Sequence, residues 1–194
     1  MRILTIDPSG TGTTGIFLLD IYDEEPNIKF HHFTQFKNGE WKEHLQFLVN
    51  LVREKEPEII VYEDTTYIYG RQHQGTVGLY KLIGGIVGLE YIFNFVKRIE
   101  SITVNSVKSF KKKLFQEKEI IEELTCLEGR GKGWKYRDQK INLHQLDALI
   151  IYHLWSGKSL ESKISIRQKI AQLKIKKRLG DKQKEELVRL ESFL

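Results

Sequence analysis

The stretch Ile3–Asp20, ILTIDPSGTGTTGIFLLD, leaves the chain few ways to begin. Ile3, Leu4 and Ile6 form a short apolar run that carries a carboxylate, Asp7, at its end. Pro8, Ser9, Gly10, Thr11, Gly12 and Thr13 follow as a small-residue turn. A second β-rich run continues through Thr14, Gly15, Ile16, Phe17, Leu18 and Leu19. The pattern predicts strand, tight turn and antiparallel strand, with an acid at the tip of the first strand. An ionised aspartate at the edge of an apolar strand is costly unless something pairs with it. A metal ion or a bound phosphate partner would pair with it, and a solvated turn aspartate is the plain alternative. Other carboxylates decide between them.

A chain of 194 residues suggests one domain with an appendage. Its net charge is +5, which is compatible with a polyanionic partner. The single cysteine, Cys126, allows no internal disulfide and points to a reducing compartment, so a cytoplasmic protein is expected. Met1 runs almost directly into a strand, leaving no room for a leader. No apolar run reaches the roughly 20 residues a membrane span needs.

Asn27–Phe36 alternates as a third strand, and its neighbours His31 and His32 face opposite sides, so they read as surface or packing histidines. Trp41, Leu45, Leu48, Val49 and Val52 recur at helical spacing and predict a helix from about Gly39 to Lys55. Glu58–Glu63, EIIVYE, is a nearly continuous apolar run of the kind buried on both faces of a sheet. It also ends in acid. Glu63 shares parity with Ile59 and Val61 and is taken as the inward group, with Asp64 pointing away. A polar and aromatic loop, Thr65–Gln74, precedes one long helix expected from about Gly75 to Val96. Gly78, Gly84, Gly85 and Gly88 inside that helix imply close backbone approach, by packing on the sheet or by helix pairing in a dimer. Glu100–Val104 reads as a strand, Asn105–Phe115 and Glu117–Leu127 as helices, and Glu128–Lys140 as an exposed basic loop. Asn142–Trp155 forms a last helix with His144 and Asp147 three apart on one face, and His153 as a packing residue. Residues 1–155 make up the domain. The extension, residues 156–194, holds eleven basic and five acidic residues, so the excess positive charge lies there. It reads as two helices that are either solvated or an arm for phosphate or a sister subunit.

Asp7, Glu63, His144 and Asp147 therefore stand out. With the first and fourth strands adjacent and parallel, the two strand-end acids come together, and a late helix crossing that edge adds two more ligands. Such a set can hold two Mg²⁺ ions roughly 4 Å apart. Hard oxygen ligands suit Mg²⁺, and a histidine suits Mn²⁺ or can carry a proton.

These residues resemble the RuvC family of Holliday-junction resolvases over about residues 1–155. The shared motifs are IDPSGTGTTG, VYEDTTYIY and the helix His144-Gln145-Leu146-Asp147-Ala148. Val107-Lys108 and, more loosely, Lys118 match lysines of the family. The resemblance implies an RNase H-like α/β fold, a five-stranded mixed sheet flanked by helices, followed here by a C-terminal helical extension. It implies a homodimeric, Mg²⁺-dependent endonuclease, with two ions per site and Mn²⁺ able to substitute. That enzyme acts on four-way junctions or other branched DNA and leaves 5′-phosphate and 3′-hydroxyl ends. Lys108, Lys118 and, beyond the family match, Lys132 are expected as phosphate contacts near the cut. Tyr67 stands nearest the family's wedge phenylalanine. A phosphate-binding ATPase domain of the actin-like or sugar-kinase type is the alternative from another class. The opening hairpin suits it, but the chain is about half the necessary length. A catalytically silent branched-DNA-binding relative is the other.

Overall fold

The structure, a computed structural model, describes the chain apart from residues 23–24, 66–73, 118–120, 122, 128–132, 138 and 158–194. It divides into two compact units, Met1–Leu154 and Trp155–Leu194. The helical extension expected over residues 156–194 lies, apart from 156 and 157, outside the described residues.

The opening stretch folds as its pattern predicts. β1 (Arg2–Asp7) and β2 (Thr13–Tyr22) pair antiparallel, with Asp7 opposite Gly15. β3 (Glu25–Lys37) adds to β2, and α1 (Trp41–Lys55) crosses back. Glu56 ends α1 in the left-handed region, at φ 46°, directly before Pro57. β4 (Ile59–Asp64) then pairs parallel with β1, and β5 (Arg98–Thr103) parallel with β4. The sheet order is β3-β2-β1-β4-β5. One face carries Leu4, Ile6, Ile16, Leu18, Ile60 and Tyr62 against Leu48, Val52, Leu82 and Ile86 of the covering helices. Alternation puts Ile3, Thr5 and Asp7 on the other face.

The long helix expected from Gly75 to Val96 is instead α2 (Gln74–Val87) and a single turn, α3 (Leu89–Ile92), broken at Gly88. Five glycines in one segment weaken it, although at Gly88 the backbone is still right-handed (φ −67°, ψ −14°) and its N–H still donates to the Gly84 carbonyl at 3.1 Å. Two of the glycines, Gly78 and Gly85, answer to close approach. A methyl at Gly85 would lie 2.6 Å from Leu45 of α1, and one at Gly78 would meet the Gly10 carbonyl at 3.3 Å. The contacts are with α1 and the β1–β2 turn rather than with the sheet.

α4 (Val104–Glu117) follows β5. Beyond it the reading from periodicity fails. Leu124–Leu127, expected at the end of a helix, is strand β6. The supposed exposed loop contains β7 (Gly133–Tyr136) and β8 (Gln139–Ile141), which complete a three-stranded antiparallel sheet. Trp134 and Tyr136 are buried. Their period of two was present in GWKY, hidden among lysines and glycines that look like loop. Helix α5 spans 143–157.

Candidate active site

Register brings the two strand-end acids together. Ile3 pairs with Ile59 and Thr5 with Val61, so Asp7 and Glu63, two residues further along each strand, lie side by side on the same face. α5 covers that face. Buried Thr5 donates its hydroxyl to the carbonyl of Ala148 at 2.7 Å, pinning the helix over β1.

The start of α5 is built to place His144. Asn142 caps the helix: its Oδ1 accepts from the Gln145 N–H at 2.9 Å, and Gln145 Oε1 accepts from the Asn142 N–H at 3.0 Å. This reciprocal cap holds the first turn. The Asn142 amide also donates to Gln35 of β3, which pairs with Gly15. His144 then lies directly over Gly15, where a Cβ would come within 2.1 Å of the His144 carbonyl oxygen. From there His144 Nδ1 meets Asp7 Oδ2 at 2.8 Å.

One turn on, Asp147 meets a cation. Lys111 Nζ of α4 donates to Oδ2 at 2.8 Å and lies 2.7 Å from Oδ1. Oδ1 itself is buried and makes no hydrogen bond. Lys108, three residues earlier on the same helix face, is exposed, and its charge opposes the rise of the Glu63 pKa.

The electrostatics are those of crowded acids. Burial, then the charge of Asp7, pushes Glu63 up to about 8. Burial also raises Asp147, against the pull of Lys111. The hydrogen bond to Asp7 raises His144 above an ordinary histidine. Without a metal each acid thus leans on a proton or an organic cation, as buried carboxylates must.

All four expected ligands converge, although no three His, Cys, Asp or Glu side chains among the described residues form a ready cage. The donor set nonetheless suits a divalent cation. It offers three carboxylates whose mutual repulsion a cation would relieve, and a buried carboxylate oxygen without a hydrogen bond. Of the four expected DNA contacts, Lys108 flanks the acids, while Tyr67, Lys118 and Lys132 lie outside the described residues. His31 and His153 are packing residues as expected: His31 meets Tyr136 edge-on at 5.3 Å and His153 meets Phe110 at 5.1 Å. Sequence reasoning passed over Gly15, Lys111 and Asn142 as parts of the site. The signals were there, in a glycine opposite the first acid, a second lysine at i+3 from Lys108, and N-x-x-Q opening the helix.

The sheet order β3-β2-β1-β4-β5, with helices covering it, is an RNase H-like arrangement. In fold the chain is similar to RuvC. It superposes on Thermus thermophilus RuvC in complex with Holliday junction substrate with a TM-score of 0.52 at 15% identity, covering 78% of this chain and 89% of that one. A second structure of Thermus thermophilus RuvC gives 0.48 at 15% identity, covering 78% and 90%. The fowlpox virus Holliday junction resolvase gives 0.48 at 13%, covering 81% and 99%. No family model matches the chain, and no curated protein does.

Proposed function

We propose that the chain is a metal-dependent, structure-specific endonuclease that resolves four-way DNA junctions by paired, symmetric nicks. The observation that carries this reading is the convergence of Asp7, Glu63, Asp147 and His144 at one sheet edge, on a fold shared with a protein solved on such a junction. Asp7 is central, touching His144 and facing Glu63, so it would be shared between two ions. Glu63 would complete one site, and His144 with Asp147 the other. Two Mg²⁺ or Mn²⁺ ions would supply positive charge for the attacking water, the scissile phosphate and the leaving 3′ oxygen.

The chain's own residues supply placement. Asp7, Glu63 and Asp147 offer hard oxygen donors from three rigid elements. His144 is anchored through Nδ1 on Asp7, which leaves Nε2 as its ligand or proton-carrying atom. Lys108 stands at the rim as a phosphate contact, with Tyr67, Lys118 and Lys132 as the remaining candidates. In-line attack leaves 5′-phosphate and 3′-hydroxyl ends. Equivalent cuts in two strands require two sites related by a two-fold axis, hence a homodimer.

A labelled synthetic four-way junction, incubated with Mg²⁺ beside a matched linear duplex, tests the proposal. Paired nicks in the junction alone, lost in Asp147→Asn by about 10³-fold or more, are expected. Cutting of forks and flaps as well would widen the substrate to branched DNA. Binding without cleavage would leave a silent DNA-binding relative, and ATP hydrolysis without binding would leave the ATPase reading.

A further inference from the structure

Lys111 is not a ligand, yet it occupies the ligand position of one. Its ammonium lies within 2.8 Å of both oxygens of Asp147, from a neighbouring helix and thirty-six residues away in sequence. The side chains are only 25% and 17% exposed, so solvent screens the pair little. Asp7 is held differently, by a histidine that is itself a metal-capable group. An ammonium is a point charge with donors only, and one that lies within 2.8 Å of both carboxylate oxygens opposes the approach of a divalent cation to either. Its four-carbon stem lets it swing away without moving α4.

We propose that Lys111 is a resident counter-ion of Asp147 that competes with the divalent cation, so that it sets the metal affinity of the site in the absence of DNA. The inference rests on the nuclease reading above. It departs from a purely structural role, in which the pair simply ties α4 to α5. A structural tie predicts that its loss loosens the site and weakens metal binding. Competition predicts the opposite sign.

Mn²⁺ binding to the DNA-free full chain, followed by electron paramagnetic resonance, separates the two. Lys111→Gln is expected to bind Mn²⁺ about fivefold more tightly than the wild type, and Lys111→Arg, which keeps the charge, to stay within about twofold of it. Asp147→Asn is expected to weaken binding. Unchanged or weaker binding in Lys111→Gln, with Asp147→Asn still weakened, overturns the role of Lys111 and leaves the nuclease reading standing. No Mn²⁺ binding by the wild type, or binding indifferent to Asp147→Asn, overturns both. Should Lys111→Gln fail to fold, the wild type carries the test. The ¹⁵N-labelled Lys111 ammonium resonance is expected to shift as Mg²⁺ is added, and a resonance that stays put overturns the proposal.

Discussion

At Gly15 one methyl group decides whether the site can assemble. A Cβ there would sit 2.1 Å from the His144 carbonyl oxygen and 2.8 Å from its Cβ, so α5 would have to lift off β2. Gly15→Ala is therefore expected to destabilise the protein by about 3 kcal/mol in thermal melts and to lower metal affinity along with it. A second residue-scale expectation concerns pH. Glu63 has its folded-state pKa raised from 4.5 to about 8 by burial and Asp7. Its contribution to stability is complete below 4.5 and is lost as pH rises through about 8. His144, raised above 6.5 by Asp7, acts in the same direction: its contribution is full below 6.5 and lost above the folded value. The metal-free protein is thus expected to melt at falling temperature as pH rises from 4.5 to about 8, and Glu63→Gln to flatten that slope. Saturating Mg²⁺ is expected to flatten it too, with proton release on binding visible by calorimetry in two buffers. A wild-type profile that stays flat without metal would contradict the crowded-acid account.

At the scale of elements, α5 is the piece that brings His144 and Asp147 to the two strand-end acids. Its first turn is held by the Asn142–Gln145 cap and by the Asn142 contact to Gln35. Asn142→Ala is expected to cost about 1 kcal/mol in stability. Nicking should fall more steeply than stability does, because His144 lies in that first turn. A loss of activity no larger than the loss of folded protein would refute the positioning role. The turn after β1 is secured in a comparable way. The buried Thr14 hydroxyl accepts from the Ser9 N–H at 3.1 Å and donates to His44 Nδ1 at 2.8 Å, and His44 Nε2 donates to the Asn38 carbonyl at 3.0 Å. His44 looks in sequence like one more polar residue of an amphipathic helix; only its place against the turn makes it a buried relay. Elements whose burial followed a clean period were legible: β1, β2, α1, β4 and α5. The β6-β7-β8 sheet was not, since its lysines and glycines mask a two-residue alternation. Nor was the break at Gly88, which periodicity alone carries straight through.

For the whole molecule, the distribution of charge sets the last expectation. The net charge of +5 is more than supplied by residues 156–194, with eleven basic residues against five acidic. If that segment contacts phosphates, the full chain should lose junction affinity by about 10³-fold or more between 50 and 200 mM salt, and a chain ending at residue 157 should show a shallower salt slope. Equal slopes would leave the extension with another role. Among the described residues no helix is long and apolar enough to cross a membrane.

The sequence by itself determined which residues could end a strand in acid, where the turn would fall, and which carboxylates and histidine were candidates for one site. These are local properties, written in alternation, turn chemistry and residue type. Only the tertiary structure decided how each acid is paired. His144 meets Asp7 across 137 residues, Lys111 meets Asp147 across 36, and Glu63 faces Asp7 because two parallel strands share one register. Such pairings depend on strand register and on how closely a helix can approach a glycine. Both are settled by the burial of side chains distant in sequence, which no local pattern encodes.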